Sequence, residues 1–327
     1  MLALGGGTGL SMLLRGLKEY TSQPGEERRS RPLLQIDAVV TVTDDGGSSG
    51  RLRREYSILP PGDIRNCMVA LSPDEALLAR LFQYRFPGPR SGLGGHSFGN
   101  LFLTALTHIT GDFPEAVRLS SNVLATRGRI FPSTAKNVTL EASLSNGRIV
   151  VGETKISRSR RRIHRIRLVP ANAQPLPEVM RAIHQANLIL LGPGSLYTSI
   201  IPNLLVRGVA DAIARSRAKC VYIANLMTQP GETTGYSLAD HVRAIYEHAG
   251  KGLFDSVVVN QAPAPAHILR RYRKEGAEPV NPSFEELHSM GVPCVAGDLL
   301  QRGGVIRHDQ RRVAKLILNH YVYGARS

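Results

Sequence analysis

Five short apolar runs in this chain end in the same way, and that shared ending constrains the fold more than any bulk property. "LALG" (2 to 5) runs into Gly6, Gly7 and Gly9, and "LLQIDAVVTVT" (33 to 43) stops at Asp44-Asp45-Gly46-Gly47. "NLILL" (187 to 191) stops at Gly192-Pro193-Gly194-Ser195, "CVYIAN" (220 to 225) leads into "LMTQPGET", and "DSVVVN" (255 to 260) reaches Gln261. Nearly continuous apolar strands are buried on both faces, which is the condition of a parallel sheet covered by helices. Helical patterns separate several of these runs. In "SLADHVRAIYEHAG", Ser237 and Asp240 have capping-box spacing, and Leu238, Val242, Ile245 and Tyr246 share one face. The expected fold is therefore α/β: a Rossmann-like, doubly wound, mostly parallel sheet.

Two segments interrupt the alternation. Between residues 59 and 132 the spacing is mostly helical, with Ile64, Cys67, Met68 and Leu71 at i, i+3, i+4 and i+7, and this segment reads as a helical subdomain. Residues 133–167 alternate apolar and polar around Asn146-Gly147, a hairpin signal, and close on "RSRRRIHRIR" (158 to 167). They read as a β-hairpin insertion with a basic strip, leaving 1–58 and 168–327 for the nucleotide-binding core.

Composition removes several classes of protein. With 42% hydrophobic and 20% charged residues in 327, the chain can bury a large core. No apolar stretch approaches the ~18 residues of a membrane span. The four residues before the glycine loop leave no room for a signal peptide, so a cytoplasmic location is expected; the shortness of that first run also keeps an upstream coding start open. Cys67, Cys220 and Cys294 are far apart and unpaired in pattern, which fits a reducing compartment and gives no zinc spacing. The formal charge of +15 is the unusual quantity, and six arginines fall within residues 158–167. No aromatics are interleaved there to stack bases, so nucleic acid is disfavoured as a partner. The run reads as a basic edge strand with Ile163 and Ile166 inward, and homo-oligomerisation stays open.

Ligands of open α/β sheets bind beyond the carboxyl ends of the strands, so the chemistry is sought there. Gly5, Gly6, Gly7, Thr8 and Gly9 let backbone N–H groups approach a phosphate, with a helix N-terminus behind them; a merely tight turn would look the same. The pattern GxGxxL lacks the third dinucleotide glycine, and there is no Walker lysine. The second glycine loop offers Gly192, Gly194, Ser195, Leu196 and Thr198, with the Tyr197 and Ser199 hydroxyls, and two such loops fit a diphosphate. Thr43, Asp44 and Asp45 stand where dinucleotide folds keep an acid for the ribose, and the two acids also suit a hydrated Mg²⁺. Asp63, in "PPGDIRN", is expected to cap the helix beginning at Ile64, with metal binding as the other role. His96 and Asn100, in "GHSFGN", are candidate ligand contacts or structural groups. Asn225 and Thr228 carry groups that read a base or sugar, Tyr272 is a stacking candidate, and Arg307 is a phosphate contact.

"GGGTGLS", "VTVTDDGGSSGRLR", "PPGDIRNCMVAL", "GHSFGNL", "GPGSLYTSIIPNLLV" and "NLMTQPGET", in this order across most of the chain, resemble the gluconeogenesis factor branch of the CofD-like family. The resemblance implies a Rossmann-like core with a helical subdomain. It implies a UDP-sugar ligand, typically UDP-N-acetylglucosamine, and a regulatory role in growth on gluconeogenic carbon and in cell-envelope shape. The sister branch, 2-phospho-L-lactate transferase, is an enzyme that uses a guanosine diphosphate donor and Mg²⁺ held by aspartates. Asp45 and Asp63 occupy similar places here, in different surroundings, and are the metal candidates; no cofactor is required on the regulatory reading. No nucleophile with its base is evident, so catalytic residues are not assigned and turnover is not expected. The alternatives are a Mg²⁺-dependent transferase of the phospholactyl type and, behind it, an NAD(P)-dependent oxidoreductase.

Overall fold

The computed structural model describes residues 1–21, 34–73, 77–89 and 92–324. The chain begins with β1 (Leu2–Gly5), α1 (Gly7–Lys18), β2 (Asp37–Val40), α2 (Gly47–Tyr56) and α3 (Gly62–Leu71). Next come α4 (Leu77–Gln83), α5 (Phe98–Thr110), α6 (Phe113–Val123) and β3 (Arg129–Pro132). An insertion follows, made of β4 (Thr139–Leu144), β5 (Ile149–Val151), α7 (Glu153–Arg158) and β6 (Ile163–Val169). The second half runs α8 (Pro177–Gln185), β7 (Leu188–Leu191), a π-helical turn (Leu196–Ile200), α9 (Ile201–Leu204), α10 (Val209–Ala214) and β8 (Lys219–Ile223). It ends with α11 (Leu238–Ala249), β9 (Ser256–Asn260), α12 (Ala266–Lys274), α13 (Phe284–Ser289), β10 (Cys294–Gly297) and α14 (Gln310–Leu318).

Seven of these strands form one parallel sheet in the order β10-β9-β8-β7-β1-β2-β3. Every residue of β1 and β7 is buried, as uninterrupted apolar strands in the middle of a covered sheet must be. Helix α1 turns Leu10, Leu13, Leu14 and Leu17 inward at i, i+3, i+4 and i+7, each burial stabilising by about 2 kcal/mol. It packs on α3 to one side and α14 to the other. The capping box of α11 forms as the spacing requires: Asp240 N donates to Ser237 Oγ at 3.2 Å, and Ser237 N donates to Asp240 Oδ2 at 2.8 Å.

The segment 59–132, expected as a helical subdomain, divides in two. Helices α4, α5 and α6 pack in sequence, α4 on α5 and α5 on α6, whereas α3 packs on α1 and β3 joins the main sheet beside β2. The apolar face of α3 is what the sheet's helix layer needs, and Ile64, Cys67, Met68 and Leu71 are fully buried there. At the β3 edge, Arg129 N and Ser133 N donate inward to β2, so alternation turns Pro132 outward, where a missing N–H costs no ladder bond and blunts the edge. The insertion folds as a three-stranded antiparallel sheet, β5-β4-β6, with its tight turn at Asn146-Gly147 and with α7 between β5 and β6. Ile163 and Ile166 of β6 are buried, and Arg165 and Arg167 are exposed. Among the described residues no helix is long and apolar enough to cross a membrane.

Candidate functional site

Strand order reverses between β1 and β7, because the chain leaves β1 toward β2 and later returns to its other side. The register pairs Leu4 with Leu191, and Gly192 N donates to Leu4 O at 2.9 Å. The two glycine loops therefore leave the sheet side by side, at the point where such folds bind ligands. A Cβ on Gly9 would lie 2.2 Å from Pro193 O, so only glycine lets the first turn of α1 meet the second loop. Helix α1 is capped by Gly6 without a side-chain acceptor and has no acid in its own first turn; the N–H of Gly7 goes to Asp63 from below, and the donors after it remain for a ligand in the cleft.

The cleft above this junction has a volume of about 860 Å³. Gly6, Gly7, Thr8 and Gly9 line it from one loop and Gly194, Ser195 and Ser199 from the other. Asn225 and Gln229, from the segment after β8, do more than line the wall. Asn225 Oδ1 accepts Gly194 N at 3.4 Å, and Gln229 Nε2 donates to Ser195 Oγ at 2.8 Å, so they orient the second loop. Arg307 lies on the far wall, just before α14. His308 beside it is buried, and desolvation lowers its pKa to about 4 against the raising effect of a hydrogen bond with the Ala224 backbone. This imidazole is neutral at physiological pH.

Several sequence candidates lie outside the cleft. Gly5 ends β1, where its carbonyl accepts Thr41 N and Asn203 Nδ2, both at 3.0 Å. Gly192 completes the ladder to β1, and Leu196 is a fully buried core residue. Thr43 and Thr198 belong to a polar layer beneath the loops: Thr43 Oγ1 contacts Thr41 Oγ1 at 3.2 Å and donates to Glu153 at 3.3 Å, and Thr198 Oγ1 donates to Glu232 at 3.2 Å. Thr228 pairs with the backbone of Glu278, donating its N–H at 2.7 Å and accepting Glu278 N at Oγ1 at 2.9 Å. The Tyr272 hydroxyl accepts Ile306 N at 3.2 Å, and its ring joins a small apolar cluster with Leu226 and Met227, so it supports residues that line the cleft.

His96 and Asn100 converge on Ser48. Asn100 Nδ2 donates to Ser48 Oγ at 3.0 Å, which leaves the Ser48 proton for His96 Nδ1 at 2.8 Å. All three are buried where α5 meets the start of α2, and desolvation, with Arg51 next, lowers the His96 pKa.

The acids separate as well. Asp44 Oδ1 accepts Gly46 N at 2.8 Å within its own turn, and burial raises its pKa. Asp45 Oδ1 accepts both Thr154 N (2.8 Å) and Thr154 Oγ1 (2.6 Å), fastening the insertion to the core. Asp63 does not cap α3: the N-cap is Pro61, and Asp63 sits inside the helix. Its carboxyl lies under the glycine loop, where it accepts the N–H of Gly7 and where a Cβ on Gly6 would come within 2.9 Å of Oδ2. The loop shields it from water, and this desolvation, reinforced by Asp44, raises its pKa to about 6. Glu153 and Glu232, which sequence reasoning passed over, complete the layer; burial pushes both pKa values up, and for Glu153 the neighbouring acids push further. Among the described residues no three His, Cys, Asp or Glu side chains converge as a metal site.

Sequence reasoning also missed the cations of the cleft. Arg15, Arg65, Arg85 and Arg311 line it with Arg307, drawn from α1, α3, the turn after α4 and α14. They are single residues scattered over the chain, and only packing gathers them; "PPGDIRN" did contain Arg65, two residues after the acid that drew notice.

The family described as 2-phospho-L-lactate transferase CofD matches residues 1–300. The gluconeogenesis factor of Bacillus subtilis is 48% identical over 316 residues, covering 96% of each chain. That of Halalkalibacterium halodurans is 45% identical over 319 residues, covering 97% of this chain and 95% of its own. A crystal structure of a UPF0052 family member from Bacillus halodurans superposes with a TM-score of 0.90 at 45% identity, over 97% of both chains. With matches of this length, and with a doubly wound sheet holding two glycine loops at its switch point, the chain belongs to the CofD family, in its gluconeogenesis factor branch.

Proposed function

We propose that this protein is a cytoplasmic regulatory receptor for a nucleotide-sugar, with UDP-N-acetylglucosamine as the first candidate, tying carbon metabolism to cell-envelope growth and shape. The observation that carries the reading is the switch-point cleft, where two glycine loops and the N-terminus of α1 face arginines across about 860 Å³. A diphosphate resting over Gly6, Gly7 and Gly194 meets the first-turn donors of α1 beyond Gly7, whose N–H is held by Asp63, and on the other side the Gly194 N–H, whose bond to Asn225 is long at 3.4 Å. Arg307 reaches its remaining charge, and Asn225 and Gln229 hold the second loop in register with it. The adjoining cleft, bounded by Leu226, Met227 and Ile306, offers an apolar wall for a base.

The second reading is a Mg²⁺-dependent transferase, favoured by the transferase description of the matching family. The acids present are poorly arranged for it. Asp45 Oδ1 is already engaged by two donors of Thr154, Asp44 Oδ1 by Gly46, and Asp63 accepts the Gly7 N–H beneath the loop, so a cation would have to share these carboxylates with bonds already made. No metal-dependent step is derived from this arrangement. Calorimetric titration with UDP-N-acetylglucosamine, GDP and NAD tests the receptor reading: selective binding of the UDP-sugar is expected, and preference for either of the others overturns it. Rapid transfer or hydrolysis of a nucleotide-sugar in the presence of Mg²⁺, lost in Asp63→Asn, would establish the transferase instead.

A further inference from the structure

Arg65 is the most unusual charge in the molecule. It is only 8% exposed, yet no carboxylate lies within ion-pair distance of it among the described residues. Among the described residues its side chain donates to Asn66 Oδ1 at 2.6 Å, and its Nε is buried with no partner there. Asp63, two residues earlier, is turned toward the Gly7 N–H. Burial first, and then repulsion by Arg85, depress the Arg65 pKa to about 10, and the attraction of Asp63 offsets this only in part.

The fold nevertheless holds this side chain in place. A Cβ on Gly99 would fall 2.9 Å from both Cγ and Cδ of Arg65 and 2.8 Å from the Phe82 ring, so α5 carries glycine where the arginine stem is clamped between helices. The second arginine is exposed and is held at its backbone and at its tip. A short bridge joins Arg85 to Ser97, and Arg85 Nη1 donates to Gly95 O at 2.5 Å. Both residues line the cleft. A desolvated guanidinium that is short of acceptors and feels a like charge destabilises a fold unless something anionic completes it.

We propose that Arg65 and Arg85 form an anion receptor in the cleft wall, seating a phosphate or carboxylate group of the ligand beside the glycine loops. This rests on the nucleotide-sugar reading for the identity of the ligand, but not for the charge of the group bound. A guanidinium fixed in advance binds such an oxyanion bidentately and loses little freedom in doing so. Its cost falls on the empty protein, which separates this role from a structural one.

The test measures thermal stability without ligand and binding by calorimetry for the parent, Arg65→Gln and Arg65→Met. The probes are UDP-N-acetylglucosamine, UDP-glucuronic acid and inorganic pyrophosphate. The variants are expected to melt no lower than the parent and to bind the UDP-sugars about ten- to hundredfold more weakly, the contribution of a charge-assisted hydrogen bond. Loss for both sugars places the nucleotide's phosphate between the arginines, and loss confined to UDP-glucuronic acid places a carboxylate of the substituent there. If the parent binds UDP-N-acetylglucosamine and both variants bind both sugars within twofold, the receptor is refuted and the nucleotide-sugar reading survives. Arg65-dependent binding of pyrophosphate alone keeps the receptor and refutes that reading. A parent that binds none of the three refutes both, and variants that melt well below the parent assign Arg65 to structure and overturn the proposal.

Discussion

Arginine is used in opposite ways in two regions of this molecule. Arg65 is buried in the cleft wall and clamped between helices, whereas the arginines of residues 158–167 stand in water along β6 and the turn before it. Arg167 pairs with Glu141 at 2.6 Å while 64% of its side chain stays exposed, a contact worth about 0–1 kcal/mol. Arg162 lies 5.3 Å from the centre of the Tyr236 ring, a similarly modest gain of about 0.5–1 kcal/mol. The sequence advertises the exposed cluster, because density along the chain is easy to see. Desolvation, which decides what a charge costs and what it can bind, depends on which helices close around it.

Variants on either side of this contrast should differ sharply. The largest effect is expected for Gly7→Val. Gly7 sits at φ +60°, a conformation that costs a β-branched residue about 1–2 kcal/mol, and relieving it turns the loop's donors away. Losing two backbone bonds to a charged phosphate amounts to a hundredfold or greater loss of UDP-N-acetylglucosamine affinity, at roughly 1.5–3 kcal/mol each. Calorimetry on a well-folded variant that binds like the parent would show that the phosphate lies elsewhere.

Asp63→Asn comes next and reads stability instead of binding. The folded-state pKa of about 6 lies above the 3.8 of a free aspartate, so the stability carried by the protonated form is complete below pH 4 and is lost as pH rises through 6. An amide cannot ionise. The variant should unfold at higher temperature than the parent at pH 8, by no more than about 3 kcal/mol, and show little advantage at pH 4. Melting curves displaced equally at both pH values would mean that the glycine loop does not desolvate this carboxyl.

For Arg307→Ala we expect about a tenfold loss of UDP-sugar affinity with unchanged stability, because the residue is exposed and lines the cleft. The smallest effect belongs to the strip. Replacing Arg160, Arg161 and Arg162 together with glutamine should leave UDP-sugar affinity within about twofold and stability within about 1 kcal/mol. A large loss of affinity in that variant would break the contrast, since it would make the exposed arginines part of the binding region.

Much of this was legible along the chain. The uninterrupted apolar runs that became β1, β7, β8 and β9 could only be covered parallel strands, because a polar face on a buried strand would be left without water. The glycines after β1 and β7 marked the strand ends that meet, and Asn146-Gly147 marked its hairpin. Where an acid sits next to a helix, as at Asp63, local pattern pointed to a cap, since capping is the commonest local use of that residue. The fold aims it at Gly7 instead, across the contact of α3 with α1.

What the sequence determined by itself is the strand-and-loop alphabet, because hydrophobic periodicity and glycine's freedom act within a few residues of where they are written. The tertiary structure decided which loops face one another, that Glu153 lies near both Asp63 and Glu232 beneath them, and that five separated arginines share one cleft. These are consequences of strand order and helix packing, which bring together residues from Arg15 to Arg311, and of burial, which changes the energy of a charge without changing its letter in the sequence.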